Sequence, residues 1–219
     1  MAGLVYVNGQ KSDKPGTRIA DDVDIEVRET LRYVSRGGLK LEAALDHFQL
    51  GPQDCTCLDV GASTGGFTDC LLQRGASKVY AVDVGHGQLH YRLQHNDRVI
   101  NLERTHIRDL TSENVPDHID ALTIDVSFIS LTKVLPLAWP FLSHGGWAVA
   151  LIKPQFEAGP KNLTKGVVRD ETVRQSCVGK VVECSEDLES SEVLGVIESP
   201  IHGPKGNIEY LLGLYKKGT

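Results

Sequence analysis

Residues 58–68 read Leu58-Asp59-Val60-Gly61-Ala62-Ser63-Thr64-Gly65-Gly66-Phe67-Thr68. An apolar strand pattern enters this stretch, small residues turn the chain, and the helical pattern Cys70-Leu71-Leu72 leaves it. Glycines are needed where the backbone adopts a positive φ or where a ligand lies against it. In an open α/β sheet, the crevice where strands connect to helices is the usual nucleotide site. The stretch therefore predicts an α/β sheet with a nucleotide-type loop at one edge.

The spacing of the glycines favours one class of ligand. A dinucleotide site uses G-x-G-x-x-G to bring a pyrophosphate to a helix N-terminus, but here Asp59 precedes the first glycine and the later glycines are adjacent. A carboxylate at Asp59 would repel a pyrophosphate, whereas it suits a ligand with an ammonium and a sulfonium, such as S-adenosylmethionine. We expect this cofactor to be bound by Asp59, Gly61, Ser63, Thr64, Gly65, Gly66 and Phe67.

A second acidic residue follows at the distance that a nucleoside site requires. Residues 78–83 form a strand pattern that ends in Asp83, the position at which an acid binds adenosine ribose hydroxyls in related folds. We expect Asp83, the adjacent Val84 and Asp125 to complete the cofactor site. In the alternative, Asp83 only caps the next helix and Gly65-Gly66 only forms a tight turn. That alternative leaves unexplained why both features lie where one ligand would need them.

The composition bounds the class of protein. A length of 219 residues fits one α/β domain with room for a small appendage. The five cysteines show no paired framework, and Cys55 and Cys57 are too close together for a zinc knuckle, which indicates a reducing, cytoplasmic environment. The N-terminal sequence has no signal-peptide pattern, and no segment approaches the ~20 apolar residues of a membrane span. His86 and His90 have metal-ligand spacing but lack an H-E-x-x-H glutamate, so we expect no metal.

The net charge of −6 argues against a generally basic, nucleic-acid-binding surface. Any RNA contact would then be local. Two segments, residues 11–40 and 153–180, could supply it. Their cations are Lys14, Arg18, Arg28, Arg32 and Arg36 in the first, and Lys161, Lys165, Arg169 and Arg174 in the second. A solvated face of mixed charge explains either segment equally well.

The apolar periodicity predicts a mostly parallel sheet. Short strands at residues 5–10 and 24–27, with turns at Asn8-Gly9 and Pro15-Gly16, precede a helix over 38–48. Strand patterns then lie at residues 99–102, 121–126, 147–152, 193–197 and 208–214. Helical patterns lie near residues 71 and 89 and over 131–141 and 171–184. The alternation of strands and helices is that of βαβ units.

Two of these strands end in residues that could do chemistry. Asp125 ends the strand at 121–126, and Lys153 follows the strand at 147–152. Apolar residues before Lys153 would partly desolvate its amine and make it easier to deprotonate, so Lys153 is a candidate general base. The alternative is an ordinary solvent-facing lysine at a strand end.

Six motifs together resemble the TlyA family of ribosomal RNA ribose 2′-O-methyltransferases, whose catalytic domain is similar to that of the FtsJ methyltransferases. The motifs occur in matching order at residues 33–41, 59–67, 83–89, 125–131, 153–157 and 206–210. The resemblance implies a Rossmann-like class I methyltransferase domain at residues 31–219, with a mostly parallel seven-stranded sheet and helices on both faces. Residues 1–30 resemble only the end of an alpha-L RNA-binding domain, which we expect to be a truncated remnant.

The resemblance also implies a Lys-Asp-Lys-Glu tetrad, which maps onto Lys40, Asp125, Lys153 and Glu209. A ribose hydroxyl is a weak nucleophile, so its proton must be withdrawn as the methyl group is transferred. In this interpretation Lys153 is the base, Lys40 keeps its amine partly neutral, and Asp125 and Glu209 orient it. The expected partner is ribosomal RNA or a ribosomal subunit, and residues 203–206 are expected to form a flexible loop leading Glu209 into the site.

Rival functions differ in the motifs they require. Methylation of an adenine amino group uses Asp/Asn-Pro-Pro-Tyr/Phe, whereas residues 125–128 contain no proline. Methylation of pyrimidine carbon five needs a cysteine at a strand tip, and the cysteines fall elsewhere. A membrane-active haemolysin, the historical name in this family, would need an apolar or amphipathic membrane segment. A cofactor-binding RNA chaperone without turnover stays open, since the resemblance implies a truncated RNA-binding domain. Separately, His106 stands where relatives more often have asparagine, which leaves the adenine contact at residues 104–106 open.

Overall fold

The computed structural model describes residues 5–12, 18–20, 22–27 and 32–218, with only the backbone of Lys11 and Val27. The chain divides into two compact units, residues 1–32 and 33–219. The predicted division into domains at residues 1–30 and 31–219 stays a prediction. Lys14, Arg28 and the predicted Pro15-Gly16 turn lie outside the described residues.

The first unit contains a small antiparallel sheet with the strand order β2-β1-β3. Its strands are β1 (Val5–Val7), β2 (Gln10–Lys11) and β3 (Ile25–Val27). Asn8 and Gly9 connect β1 to β2 with φ values of 50° and 75°, the left-handed geometry that an Asn-Gly hairpin turn uses. The interpretation of this unit as the remnant of an alpha-L domain stays a prediction.

The second unit alternates helices and strands. The helices are α1 (Gly37–Phe48), α2 (Gly66–Gln73), α3 (Tyr91–Gln94), α4 (Leu131–Ala138), α5 (Pro154–Glu157) and α6 (Glu171–Glu186). The strands are β4 (Thr56–Val60), β5 (Lys78–Val82), β6 (Val99–Leu102), β7 (Ile119–Ile124), β8 (Leu142–Ile152), β9 (Ser191–Glu198) and β10 (Tyr210–Lys216).

The strands form one seven-stranded sheet in the order β6-β5-β4-β7-β8-β10-β9. The first five strands in this order, from β6 to β8, are parallel to one another. Strand β10 runs antiparallel to both β8 and β9. The predicted fold class, a mostly parallel seven-stranded sheet, is confirmed. Because β10 is antiparallel, its first residue, Tyr210, pairs with Ile152 at the last position of β8. Residues just before β10 therefore meet the carboxyl ends of the parallel strands.

Apolar residues alternate between the two faces of the sheet and create two cores. One core combines Leu58, Leu122 and Ile124 with side chains of α4 and α6. The other combines Cys57 and Val149 with side chains of α1 and α2. Helices therefore cover both faces, as predicted, and the carboxyl edge of the sheet is left for the loops that carry the polar motifs.

Three elements differ from the sequence prediction. Strand β8 begins at Leu142 rather than near Trp147, because the polar and glycine-rich residues 143–146 hide the apolar alternation on which the prediction depended. The helix expected near Leu89 is the single turn α3. Helix α4 ends at Ala138 and continues as a 3-10 turn containing Pro140, since proline lacks the N–H that an α-helix would need there.

Candidate active site

The turn from β4 to α2 begins with a glycine that allows two strand ends to approach each other. Gly61 has a φ of +86°, and a Cβ there would lie 2.4 Å from the carbonyl oxygen of Asp125. A side chain at this position would therefore disrupt both the turn and its contact with the end of β7. A second close approach lies at the start of α2, where a Cβ on Gly66 would lie 2.3 Å from the Ser35 hydroxyl. This second approach brings residues 35–38, and hence the start of α1, against the glycine loop.

Asp59 lies below this loop and is completely buried. Its carboxylate accepts hydrogen bonds from the hydroxyls of Thr68, at 2.6 Å, and Thr123, at 2.9 Å. Burial outweighs these bonds and raises the pKa of Asp59 to about 6. The carboxylate thus connects β4 to α2 and β7, and a direct contact with the ammonium of the cofactor stays a prediction.

Asp83 organises the neighbouring loop at the end of β5. One carboxylate oxygen accepts a hydrogen bond from the Ser63 N–H at 2.7 Å, and the other accepts one from the Gly85 N–H at 2.7 Å. The carboxylate is partly exposed. It therefore holds the glycine loop and the β5 loop together, and its remaining lone pairs are available to hydroxyl donors.

Two adjoining cavities open at this edge of the sheet. Cavity 1, of about 390 Å³, lies between residues 35–40, the glycine loop and residues 201–204. Cavity 2, of about 570 Å³, extends along Asp83 and Val84 and has apolar walls from Ile107, Val126 and Ile129. Both cavities are lined by Gly61, Ser63, Asp125 and Ser127. The pair forms one continuous groove across the ends of β5, β4 and β7.

The groove fits the predicted cofactor. Cavity 2 offers apolar walls for a planar base and the Asp83 carboxylate for a ribose, while cavity 1 offers the polar loop for an amino-acid moiety. Eight of the predicted cofactor residues line the groove: Gly61, Ser63, Thr64, Gly66, Phe67, Asp83, Val84 and Asp125. Gly65 instead turns the chain with a φ of +94°, and a Cβ there would lie 2.2 Å from Leu93.

The four tetrad residues form two ion pairs. The Lys153 ammonium lies 2.6 Å from the Asp125 carboxylate and donates a hydrogen bond to the Ser127 hydroxyl at 3.0 Å. The Lys40 ammonium donates to the Glu209 carboxylate at 2.5 Å. Lys40, Asp125 and Lys153 line cavity 1, and Glu209 is completely buried. The structure thus brings together one side chain of α1, two that directly follow β7 and β8, and one that directly precedes β10.

Asp125 pairs with Lys153, whereas Glu209 pairs with Lys40 and Gln155 rather than with Lys153. Glu209 therefore compensates the charge of Lys40, and Asp125 is the carboxylate in contact with Lys153. The predicted roles of these four residues in catalysis stay predictions.

A third cavity, of about 430 Å³, is also lined by Ser127 and Lys153. Phe128 and Phe156 line it with their ring centroids 5.0 Å apart. Phe128 is 90% exposed and has a φ of 65°, which is uncommon for a bulky residue. Lys205 lines the same cavity. An exposed aromatic ring beside a reactive lysine and a cation is suited to a planar, anionic substrate.

Several residues of the site were missed in the sequence analysis. Ser127, Gln155 and Gly203 contact the tetrad, and Asn207 ties the 203–207 turn to residues 166–168. The signal for Gln155 was its place two residues after Lys153, on the one-turn helix α5. The side chain of Asn207 makes three hydrogen bonds within the loop leading to Glu209 and across it. The expected flexibility of this loop stays a prediction.

The described residues include no group suited to a metal ion and no helix suited to cross a membrane. Within residues 5–12, 18–20, 22–27 and 32–218, no group of three or more histidine, cysteine, aspartate or glutamate side chains could hold a metal ion. His86 instead contacts the Glu103 carboxylate at 2.9 Å. In the same described part of the chain, no helix has the length and apolar character needed to cross a membrane.

Comparisons with known proteins point to one family. The profile of the FtsJ-like methyltransferase family matches residues 33–216. The chain is 46% identical over 213 residues to "Hemolysin A" of Brachyspira hyodysenteriae, covering 96% of this chain and 88% of that protein. It is 43% identical over 216 residues to "16S/23S rRNA (cytidine-2'-O)-methyltransferase TlyA" of Mycobacterium tuberculosis, covering 97% and 80%.

A solved structure agrees with these comparisons. A hemolysin-named protein from Lactococcus lactis superimposes with a TM-score of 0.83 at 46% identity, and the match covers 87% of this chain and 91% of that one. The structural similarity therefore extends over most of the chain.

Proposed function

Because this chain belongs to the FtsJ-like methyltransferase family, we propose that it transfers a methyl group from S-adenosylmethionine to a ribose 2′-hydroxyl of ribosomal RNA. The observation that carries the proposal is the Lys153–Asp125 pair, which opens onto the groove at the carboxyl ends of the strands. A relative at 43% identity has this reaction in its name.

The cofactor is held by residues of cavities 1 and 2. Asp83 accepts hydrogen bonds from the ribose hydroxyls, and the apolar walls near Ile107 and Val126 enclose the base. When bound, S-adenosylmethionine supplies the methyl group from a sulfonium whose positive charge disappears during transfer. The chain therefore needs no strong oxyanion hole, and much of its contribution is to position the hydroxyl in line.

Lys153 is the group that receives the proton of the 2′-hydroxyl. The Asp125 carboxylate and the Ser127 hydroxyl hold its amine at the boundary of cavities 1 and 3. Accepting this proton requires the Lys153 amine in its neutral form. Lys40 and Glu209 neutralise each other and fix α1 against the end of the sheet.

The substrate approaches through cavity 3. The exposed ring of Phe128 provides a stacking surface for a base. Phosphates would meet the local cations Lys161, Lys165 and Lys205, which are exposed. These contacts are local because the chain as a whole is acidic, with a net charge of −6. The expected partner is ribosomal RNA within a ribosomal subunit, and the expected place of action is the cytoplasm.

Methyl incorporation into purified ribosomal subunits tests the proposal. Tritiated S-adenosylmethionine should label the ribosomal RNA, and Lys153→Ala and Lys153→Arg should both abolish most of the label, since guanidinium does not lose its proton. Calorimetry on the same variants should show unchanged cofactor binding. Cofactor binding without any labelling by the wild type would instead favour an RNA chaperone, and lysis of erythrocytes without labelling would favour a haemolysin. Either result overturns the proposal.

A further inference from the structure

Lys40, Gln155 and Gly203 surround the carboxylate of Glu209. One oxygen accepts from Lys40 at 2.5 Å, and the other accepts from the Gln155 side-chain amide at 3.0 Å. Gly203 lies directly against the carboxylate, since a Cβ there would lie 2.0 Å from an oxygen and 2.5 Å from the carboxyl carbon. Glu209 therefore has a single available position, which these three residues define.

Gln155 connects this buried carboxylate to the reactive lysine. It lies on α5, the one-turn helix that begins directly after Lys153. Its side chain is nearly buried, at 9% exposure. A displacement of Gln155 would therefore move the turn that carries Lys153, and a displacement of Glu209 would be transmitted through Gln155 to the same turn.

We propose that Gln155 is a positioning residue of the methyl-transfer reaction, which holds the Glu209 carboxylate and thereby keeps the Lys40–Glu209 pair in register with the Lys153–Asp125 pair. The role depends on the donor character of the amide, because an ionised carboxylate only accepts hydrogen bonds. This inference rests on the proposed function. It adds that the two ion pairs, which come from distant parts of the chain, work as one unit.

The space left by Gly203 belongs to the same arrangement. Its φ of −70° and ψ of −175° are accessible to any residue, so backbone strain does not explain a glycine there. The explanation lies in the room that the Glu209 carboxylate needs. Gly203→Ala is thus a second way to displace the carboxylate, independent of Gln155.

Steady-state methylation of ribosomal subunits tests the role of Gln155. Gln155→Met removes the donor while keeping the length of the side chain, and kcat should fall by roughly 10- to 100-fold, the effect of losing one hydrogen bond to a charged group. Gln155→Glu should be worse, because two carboxylates would face each other. Cofactor affinity by calorimetry should be nearly unchanged, with kcat compared at a temperature at which the circular dichroism spectrum shows each variant to be folded. The matched control is Gln73→Met, which removes an amide bond of 3.1 Å to Asp69 outside the cavities and should keep the wild-type kcat.

Gly203→Ala should lower kcat in the same way, with Gly51→Ala, where a Cβ would meet nothing within 4 Å, as its control. If Gln155→Met does not fold, the comparison of Gly203→Ala with Gly51→Ala tests the proposal. Wild-type kcat in the folded variants, or a loss of cofactor affinity equal to the loss of kcat, would overturn the positioning role and leave the proposed function standing. A wild type that methylates no RNA would overturn both.

Discussion

At the scale of single residues, the most unusual group is the buried carboxylate of Asp59. Burial raises its pKa from 3.8 to about 6, so the folded protein holds this proton more tightly than the unfolded chain does. Raising the pH from about 4 to 6 therefore removes stability. The shift of about two units corresponds to roughly 3 kcal/mol against the folded state at pH 7.

Asp59→Asn should therefore stabilise the protein at neutral pH. The amide can keep both threonine bonds, one as acceptor and one as donor. In urea denaturation, the gain in unfolding free energy over the wild type should grow between about pH 4 and 6 and approach roughly 3 kcal/mol at pH 7. A gain that does not vary with pH would contradict the assignment of the shift to this carboxyl. If Asp59 also serves the ammonium of the cofactor, the same variant should bind S-adenosylmethionine more weakly.

Asp83 is the residue on which cofactor binding should depend most. Asp83→Ala removes the acceptor for the Ser63 and Gly85 N–H groups, so the groove loses both its ribose contact and the link between its loops. Calorimetry should detect no S-adenosylmethionine binding, with the circular dichroism spectrum retained. Asp97→Ala, at an exposed position, is the matched control. If Asp83→Ala binds S-adenosylmethionine with unchanged affinity, the ribose of the cofactor does not contact Asp83.

At the scale of elements, α5 and α4 are connected through Glu157. Its carboxylate accepts a hydrogen bond from the Leu131 N–H at 2.8 Å and one from the Ser130 hydroxyl at 2.5 Å. A carboxylate at a helix N-terminus satisfies free N–H groups and interacts favourably with the helix dipole. The segment between Asp125 and α4, which carries Ser127 and Phe128, is therefore anchored at its far end by α5.

Glu157→Ala should cost about 1 to 2 kcal/mol of unfolding free energy, the usual effect of losing a helix cap. Chemical denaturation measures it. Glu171→Ala, which truncates an exposed side chain in the first turn of α6, should cost no more than about 1 kcal/mol. Equal losses in the two variants would show that Glu157 does not cap α4.

The elements and the cofactor loops were predictable because their signals are local. The strand that precedes Gly61 and the one that ends at Asp83 follow from short apolar runs, and the structure confirms both. The pairing within the tetrad was not predictable in this way, since Lys40 and Glu209 are 169 positions apart. The antiparallel direction of β10 determines which carboxylate reaches which lysine. The apolar periodicity of β10 is the same for either direction, so it does not predict this direction.

At the scale of the whole molecule, the acidic net charge leaves RNA binding to a few local cations. Binding should be weak and should fall with salt, with a slope in log K against log salt of about −0.7 to −0.9 for each phosphate contact. The double variant Lys161→Gln, Lys165→Gln should reduce the slope by about 1 to 2. Lys217→Gln, at the end of β10 opposite the groove, should leave it unchanged. Filter binding at several salt concentrations decides, and a slope insensitive to the double variant would place the RNA elsewhere.

The location of the transferred methyl group tests the central claim most directly. Ribosomal RNA labelled with tritiated S-adenosylmethionine is hydrolysed in alkali, which cleaves every linkage except those next to a 2′-O-methyl ribose. The account predicts that the label is recovered in alkali-resistant dinucleotides and that Lys153→Ala lowers it by roughly 10²- to 10⁴-fold, the usual contribution of a positioned base. Label recovered in single nucleotides with the methyl on a base, or full labelling by Lys153→Ala, would contradict it.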